Sequence, residues 1–509
     1  MSSPYSFRTA ISCDDILLVP AYSSNRHSSD GNASFTYDKC PCPFTADIPI
    51  INSPMDLVCS KDLLILLMSK GIPTTIHRYF DSAKDQINCF GEIWEEAIRL
   101  HGEKVLKVNA ANCFIGVGSI FKWKDWIDTL LNYRIVSGIK FGIHVDLANG
   151  ATDACVETVK YLRKECPDLN IMAGNVATKG GFTVLEKAGA NFIRCGIGGG
   201  CVIPDTRVTT NRGNIKIIDV KIGDKVLTHE NNWKTVTGFN RTFVDDDLIV
   251  LNEKLTLTKQ HEVFVIKNNE KDPKFIAAQD IKLGDSLCCC IDGKLSIEKL
   301  INLELNTYYR GSLYDIEVED DHSFIANGII AHNSICSTRI QTGFGVPTLT
   351  TVIDCESRKL NSYIVADGGF ENDGDMIKAI RCGADMCMIG KILASTDLAP
   401  GEKRDSNFEV TTNPEEYAYC QYRGMSSKMA RDASLCRKNA SVEGVSGFVE
   451  YTDTTEIIVD RIKEHFETAI SYYAGCKNWS EFRRYIKVIE ITSAGQKESG
   501  TRIIKHGKQ

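Results

Sequence analysis

No run of apolar residues in this chain approaches the ~20 that a membrane-spanning helix needs. The longest dense run is Leu63 to Met68, so no transmembrane segment is expected. The opening MSSPYSFRTA has neither the basic stretch nor the apolar stretch of a secretory leader. An excess of positive charge is also missing: 59 Lys and Arg stand against 66 Asp and Glu, a net charge of -7. That disfavours a nucleic-acid or anionic-membrane surface and leaves small anionic ligands open. A Gly-x-Gly-x-x-Gly fingerprint with its downstream acid is not found, so dinucleotide choice cannot be read from one. The hydrophobic share of 43% and charged share of 25% are those of soluble globular chains, which removes the disordered, fibrous and coiled-coil classes. Twenty cysteines in 509 residues are too dilute for a disulfide scaffold. With no leader, they read as reduced thiols of a cytoplasmic protein.

What the chain does have is length and alternation. Its length suggests roughly three domains, or one large barrel plus something else. From about residue 48, short β-like runs alternate with amphipathic helical stretches such as Ala154 to Lys164, the pattern of βα units and a parallel sheet. Six runs begin at Ile48, Ile72, Val105, Phe141, Asn170 and Phe192, and two more at Tyr363 and Met386. Eight is the count of a closed (β/α)8 TIM barrel, an α/β fold.

Between the sixth and seventh runs, residues 201–333 change character: Val, Ile, Thr, Asp and Asn dominate, turn signals are frequent, and helical periodicity fades. This segment reads as an all-β domain inserted in the barrel. The domains expected are therefore residues 1–200, the first part of the barrel; 201–333, the insert; and 334–509, the remainder with the nucleophile loop, flap and C-terminal segment. Removing the 133-residue insert leaves 376 residues and joins Gly196-Ile-Gly-Gly-Gly200 to Ser334-Ile-Cys-Ser-Thr-Arg339. The triple Cys288-Cys289-Cys290 lacks chelating spacing, because adjacent residues on an extended run alternate faces. It reads as structural.

Cys201 opens the insert, Thr258 and His261 form a Thr-x-x-His pair, Asp315 and His322 lie in Tyr314-Asp-Ile-Glu-Val-Glu-Asp-Asp-His322, and His332-Asn333 closes it before Ser334. In that order they resemble a self-splicing mini-intein of the Hint fold. The resemblance implies that the Cys201 thiol attacks the Gly200 carbonyl to give a thioester, a nucleophilic step that needs a polarised peptide. Thr258 and His261 would polarise that bond. Asp315 and His322 would handle protons during transfer to the Ser334 hydroxyl. Asn333, helped by His332, would then cyclise and release the segment, leaving Gly200 bonded to Ser334.

The rejoined flanks carry Asp14-Asp15-Ile-Leu-Leu-Val-Pro20, Asn52-Ser-Pro-Met-Asp56, Asp146-Leu-Ala-Asn-Gly150, Ala173-Gly-Asn-Val176, Ala366-Asp-Gly-Gly369, Ile389-Gly-Lys391 and Tyr422-Arg-Gly-Met-Ser-Ser427. With the joined Gly-Ile-Gly-Gly-Gly/Ser-Ile-Cys-Ser-Thr-Arg loop, they resemble the IMP dehydrogenase and GMP reductase family across essentially all host residues. The resemblance makes Cys336 the nucleophile on purine C2. Ser334, Gly368, Gly369, Gly390 and Tyr422 match phosphate-binding positions, Asp367 the ribose position, and Met425 and Ser426 the purine edge. Asp146, Asn175 and Arg194 match positions near the nicotinamide, and the carbonyls of Gly196, Gly198 and Cys336 match a potassium site. The family's homotetramer and purine nucleotide monophosphate substrate come with the same resemblance.

Two reactions then compete. Dehydrogenases of this kind hydrolyse the thioimidate with an Arg-Tyr pair on a flap, and Ser426 to Gly444 contains no such dipeptide. Reductases protonate departing ammonia with a loop Thr and a Glu, which match Thr338 and Glu443, so catalysis by Cys336, Thr338 and Glu443 with NADPH is the favoured expectation: GMP to IMP and ammonia. The alternative is an IMP dehydrogenase using NAD, which Ser53-Pro-Met-Asp56, Val19-Pro-Ala-Tyr22 and Thr492-Ser-Ala-Gly-Gln-Lys-Glu-Ser499 resemble.

Overall fold

The computed structural model describes residues 11–25, 27–102, 110–147, 149–196, 202–221, 223–257, 261–268, 273–278, 281–291, 294–318, 323–332, 346–370, 372–423 and 446–491. Eight parallel strands form one sheet. They are β1 (Ile50–Asn52), β2 (Thr74–Ile76), β3 (Cys113–Val117), β4 (Gly142–Asp146), β5 (Ile171–Val176), β6 (Phe192–Cys195), β7 (Tyr363–Asp367) and β8 (Met386–Ile389). Their order is β1-β8-β7-β6-β5-β4-β3-β2, which leaves β1 and β2 as the two ends of the hydrogen-bonded path. A side chain joins them. Asn52, fully buried at the end of β1, accepts from Thr75 N at 2.8 Å and donates to Thr75 O at 2.8 Å. One carboxamide thus replaces a ladder rung and makes the sheet a barrel.

These strands are short and apolar because both faces are covered, as parallel sheets require. β3, Cys-Phe-Ile-Gly-Val, is buried at all five positions. The third expected run, Val105 to Ala110, is corrected here: the third barrel strand is Cys113–Val117, Ala110 lies in the 3-10 turn Ala110–Asn112, and residues 103–109 fall outside the described residues. Two neighbouring apolar runs of similar length compete there, and local pattern does not separate them.

Helices α1 (Lys61–Ser69), α2 (Ala83–His101), α3 (Ile120–Ser137), α4 (Asp153–Glu165), α5 (Lys179–Ala188), α6 (Thr348–Glu356) and α7 (Asp373–Arg381) follow the strands, and α8 (Thr455–Thr468) completes the ring. Ser60, Ser82, Thr152, Thr178, Asn372 and Thr454 each cap a helix through the side-chain oxygen, satisfying an amide that the helix cannot. At the N-terminal end of the barrel, the hairpin Phe35–Tyr37 with Phe44–Ala46 packs Tyr37 and Phe44 onto Phe192 and Tyr363. That end is filled, which leaves the opposite end, where barrel enzymes carry their sites, open to a ligand. No helix among the described residues is long and apolar enough to cross a membrane.

Between β6 and β7 the chain builds a separate antiparallel sheet of twelve strands with its own hydrophobic core. Its longest strands, Trp233–Leu251 and Leu303–Val318, pair along almost their whole length, with register shifts at Val236/Gly238 and Leu248/Val250. Within Ser286–Ile291, Cys289 packs into the main core of this unit, while Cys288 and Cys290 pack on the other face with Leu227, Ile325 and Ile330. The alternation expected of a strand is what places them.

Candidate active site

The carboxyl ends of β4, β5, β6 and β7 converge on one network. Arg194 of β6 donates through Nη1 to Asp146 Oδ1 and through Nη2 to Asp367 Oδ2, both at 2.7 Å. Asn175 Nδ2 donates to the same Asp367 Oδ2 at 2.6 Å and to the Gly196 carbonyl at 3.1 Å. Arg78, just past β2, donates through Nε to Asp146 Oδ2 at 3.1 Å, and its guanidinium lies over the rings of Tyr79 and Trp123. The planar Arg194 cation therefore bridges two carboxylates from strands that are not neighbours, a geometry to which the fork of a guanidinium is suited.

The electrostatics follow from burial. Burial alone would raise the Asp146 carboxyl, but the Arg194 and Arg78 guanidiniums overrule it and hold it well below the ordinary carboxylate range. Burial works against the Arg194 charge too, and Asp367 and Asp146 more than offset it. His144, two residues before Asp146 on the same face of β4, is pushed down to about 3 by burial first and by the Arg194 charge second. Burial also takes His77 down to about 4. The site thus holds Asp146 as a carboxylate, Arg194 and Arg78 as guanidiniums, and His144 and His77 as neutral imidazoles at neutral pH.

Arg194 Nε is buried and makes no hydrogen bond among the described residues. Asp367 Oδ1 has no hydrogen-bond partner among them either, both of the carboxylate's contacts falling on Oδ2. Among the described residues, one donor and one acceptor of the network therefore remain unspent, which suits a ligand with hydroxyl or amide groups.

On the β7 and β8 side, Gly368 and Gly369 follow Asp367 with φ of 84° and 85°, left-handed backbone that only glycine adopts readily. Gly390 follows β8 and precedes the short helix Lys391–Ala394. A Cβ built there would meet Ser53 Oγ at 3.2 Å, Tyr422 Oη at 3.2 Å and Met55 Sδ at 3.3 Å. The expected phosphate positions Gly368, Gly369, Gly390 and Tyr422 are therefore grouped where barrels commonly hold a phosphate, after strands seven and eight. Ser334, Cys336, Thr338, Met425, Ser426, Glu443 and Gly198 lie outside the described residues.

In the insert, the backbone neighbours of the expected splicing residues come together. Val202, next to Cys201, exchanges two hydrogen bonds with Tyr314, next to Asp315, at 2.8 and 2.7 Å, and also bridges to Leu257, next to Thr258. Ser323, next to His322, lies opposite His332, and Val263, two residues past the buried His261, lies opposite Ala331. Cys201, Thr258, His322 and Asn333 themselves lie outside the described residues.

Four participants escape a reading of motifs alone: His144, Arg78, Ser53 as a neighbour of Gly390, and Asn52 as the seam. His144 had a signal, since strand alternation puts it on the face of Asp146. Arg78 had none, because its partner lies on another strand.

A family model described as IMP dehydrogenase / GMP reductase domain matches residues 10–231 and 320–502. The unmatched stretch falls inside the inserted sheet. A protein from Chlorobaculum parvum named inosine-5'-monophosphate dehydrogenase is 34% identical over 184 residues, 33% of this chain and 35% of the relative. One of the same name from Methanocaldococcus jannaschii is 31% identical over 257 residues, 47% of this chain and 46% of the relative. Another, from Cryptosporidium parvum, is 35% identical over 188 residues, 34% and 45% of the two chains. The chain spans about a third to about a half of the length of the curated relatives it matches.

Proposed function

Since the chain belongs to the IMP dehydrogenase / GMP reductase family, we propose that it is a purine nucleotide oxidoreductase acting at C2, made continuous by excision of residues 201–333. The direction proposed is that of the dehydrogenase: IMP, NAD and water to XMP and NADH. The observation that carries the direction is the shared name of the relatives, which outweighs the reductase preference drawn from Thr338 and Glu443.

Cys336, as thiolate, would add to C2 of the purine, and loss of hydride from that carbon would leave a thioimidate on the enzyme. Water would then release XMP and return the thiol. NAD, when bound, supplies the hydride acceptor. Asp146, Arg194 and Asn175 would hold it, and the unspent Arg194 Nε supports that role because it offers a buried donor to a carboxamide or ribose oxygen. Asp367 would take ribose hydroxyls of the nucleotide through Oδ1, with Gly368, Gly369, Gly390 and Tyr422 around its phosphate. Of the carbonyls expected to hold potassium, Gly196 already accepts from Asn175, which leaves it one lone pair for a cation.

The second reading, GMP reduction with NADPH, is favoured by one observation: Ser426 to Gly444 contains no Arg-Tyr pair to activate water. A single pair of assays decides between them. The expressed chain is checked for a 376-residue product, then given IMP with NAD and, separately, GMP with NADPH. XMP formation at ~1 per second or faster supports the dehydrogenase. GMP reduction without XMP formation refutes it in favour of the reductase.

A further inference from the structure

One layer below the carboxylates, inside the barrel, sits an imidazole that the chemistry above leaves unused. His144 of β4 is fully buried. Its Nε2 lies 2.9 Å from Arg194 Nη1 on β6, and its Nδ1 lies 3.2 Å from Thr75 Oγ1 on β2. These are alternate strands, the arrangement by which barrels fill their interior in layers, ordinarily with branched aliphatic side chains. Here the layer is polar. Burying an imidazole is costly unless its polar atoms are matched, and both nitrogens are.

The partners fix its state. A guanidinium carries donors only, so Nη1 must donate and Nε2 must accept. The proton then sits on Nδ1 and is donated to Thr75 Oγ1, and no second proton is accommodated beside the Arg194 charge. The burial-driven lowering of this imidazole acts in the same direction. Thr75 is anchored in turn, because its amide donates to Asn52 Oδ1 at 2.8 Å. An unbroken line of hydrogen bonds therefore crosses the barrel from the seam through Thr75 and His144 to Arg194, whose fork ends on Asp146 and Asp367.

Rotation of Arg194 about its long side chain is what this line prevents. Nη1 is shared between His144 and Asp146, so its direction is set from below, and Nη2 is thereby aimed at Asp367. We propose that His144, held as the neutral Nδ1-protonated tautomer, is a positioning residue that sets the Arg194 fork on its two carboxylates and so fixes the cradle for nucleotide and dinucleotide. The role as stated rests on the oxidoreductase reading of that cradle, whereas the tautomer rests on geometry alone.

The test uses His144→Leu and His144→Gln in the full chain beside the unsubstituted protein. Leucine fills the volume and accepts nothing. Glutamine can present Oε1 where Nε2 lies and accept from Arg194. With the substrate pair that the unsubstituted protein turns over, His144→Leu should raise KM for the dinucleotide ~10-fold or more, since small misplacements of binding groups are costly. His144→Gln should recover most of that loss. A fall in kcat with KM unchanged, or no difference between the two variants, would mean that His144 only supports folding and would overturn the proposal. Nitrogen-15 spectra of histidine-labelled chain, with the His144 signals identified by their loss in His144→Gln, test the state without turnover. Protonated Nε2 or an imidazolium at pH 7 overturns it, whatever reaction the protein performs and whether or not His144→Leu folds.

Discussion

In an Asn52→Leu chain the branched shape of the side chain at the β1–β2 seam is kept while both carboxamide hydrogen bonds to Thr75 vanish. Asn52 and Thr75 are both fully buried, so water cannot take over. The Thr75 amide, whose acceptor is Asn52 Oδ1 at 2.8 Å, is left without a partner. The Thr75 carbonyl loses Asn52 Nδ2 and keeps the weak Cys59 thiol contact at 3.3 Å. A buried unpaired group costs ~1–3 kcal/mol, and the two together, less what the added apolar surface returns, come to about 3 kcal/mol. Hydrogen exchange read by mass spectrometry on a peptide covering β2 is the direct assay. An opening made 3 kcal/mol easier speeds exchange about 100-fold at ~1.4 kcal/mol per tenfold. Unchanged exchange across β2, in a chain that still folds, would show that the barrel closes without this carboxamide.

Three further outcomes are expected. The expressed chain should resolve by intact mass into a 376-residue protein and a 133-residue segment, and Asn333→Ala should stop release of the segment; persistence of the 509-residue chain alone refutes this. A Cys201→Ala, Asn333→Ala chain should turn over at least ~100-fold more slowly than the 376-residue product, because the insert separates Gly200 from Ser334, two residues before the proposed nucleophile Cys336; comparable rates would disprove the gating. Stability should fall with acid: His77 and His144 are lowered to about 4 and about 3, so the unfolded chain binds more protons. Their contribution is complete above the ordinary histidine value of ~6.5 and is lost as pH drops through the window down to those values, each imidazole giving up ~1.4 kcal/mol for every pH unit crossed. Denaturation midpoints that do not move between pH 7 and pH 4.5 would count against neutral buried imidazoles.

The barrel was legible in the sequence because its evidence is periodic and local: seven of the eight expected runs contain or overlap a strand, and helix starts are marked by Ser, Thr and Asn. The third strand was not, because Val105 to Ala110 and Cys113 to Val117 are both short, mostly apolar runs, of six and five residues. At the site, Asp146, Asn175, Arg194 and Asp367 were named from motifs, and the structure joins all four in one network. What motifs could not show is that Asp367 spends one oxygen on Arg194 and Asn175, tying the expected ribose position to the expected cofactor positions. That link joins strands far apart in sequence, as does the seam made by Asn52. Spacing along the chain carries no trace of either.

Both ends of the inserted sheet are fastened to a single stretch of chain: Val202 to Leu257 at one end, Ala331 to Val263 at the other. Six residues separate those two anchor points, so they stand at most ~20 Å apart. The barrel must close β6 against β7 across 167 intervening residues, and an unstructured connection of that length would carry a corresponding closure entropy. Once the insert has folded, the path that still has to be closed is shorter by about a factor of four, which lowers the closure cost by about 1 kcal/mol. The order of events therefore matters to the host: an insert that folds ahead of the barrel leaves a β6–β7 connection nearly as short as the flanking host segments alone would make it. The interrupted barrel then faces almost the same topological problem as an uninterrupted one.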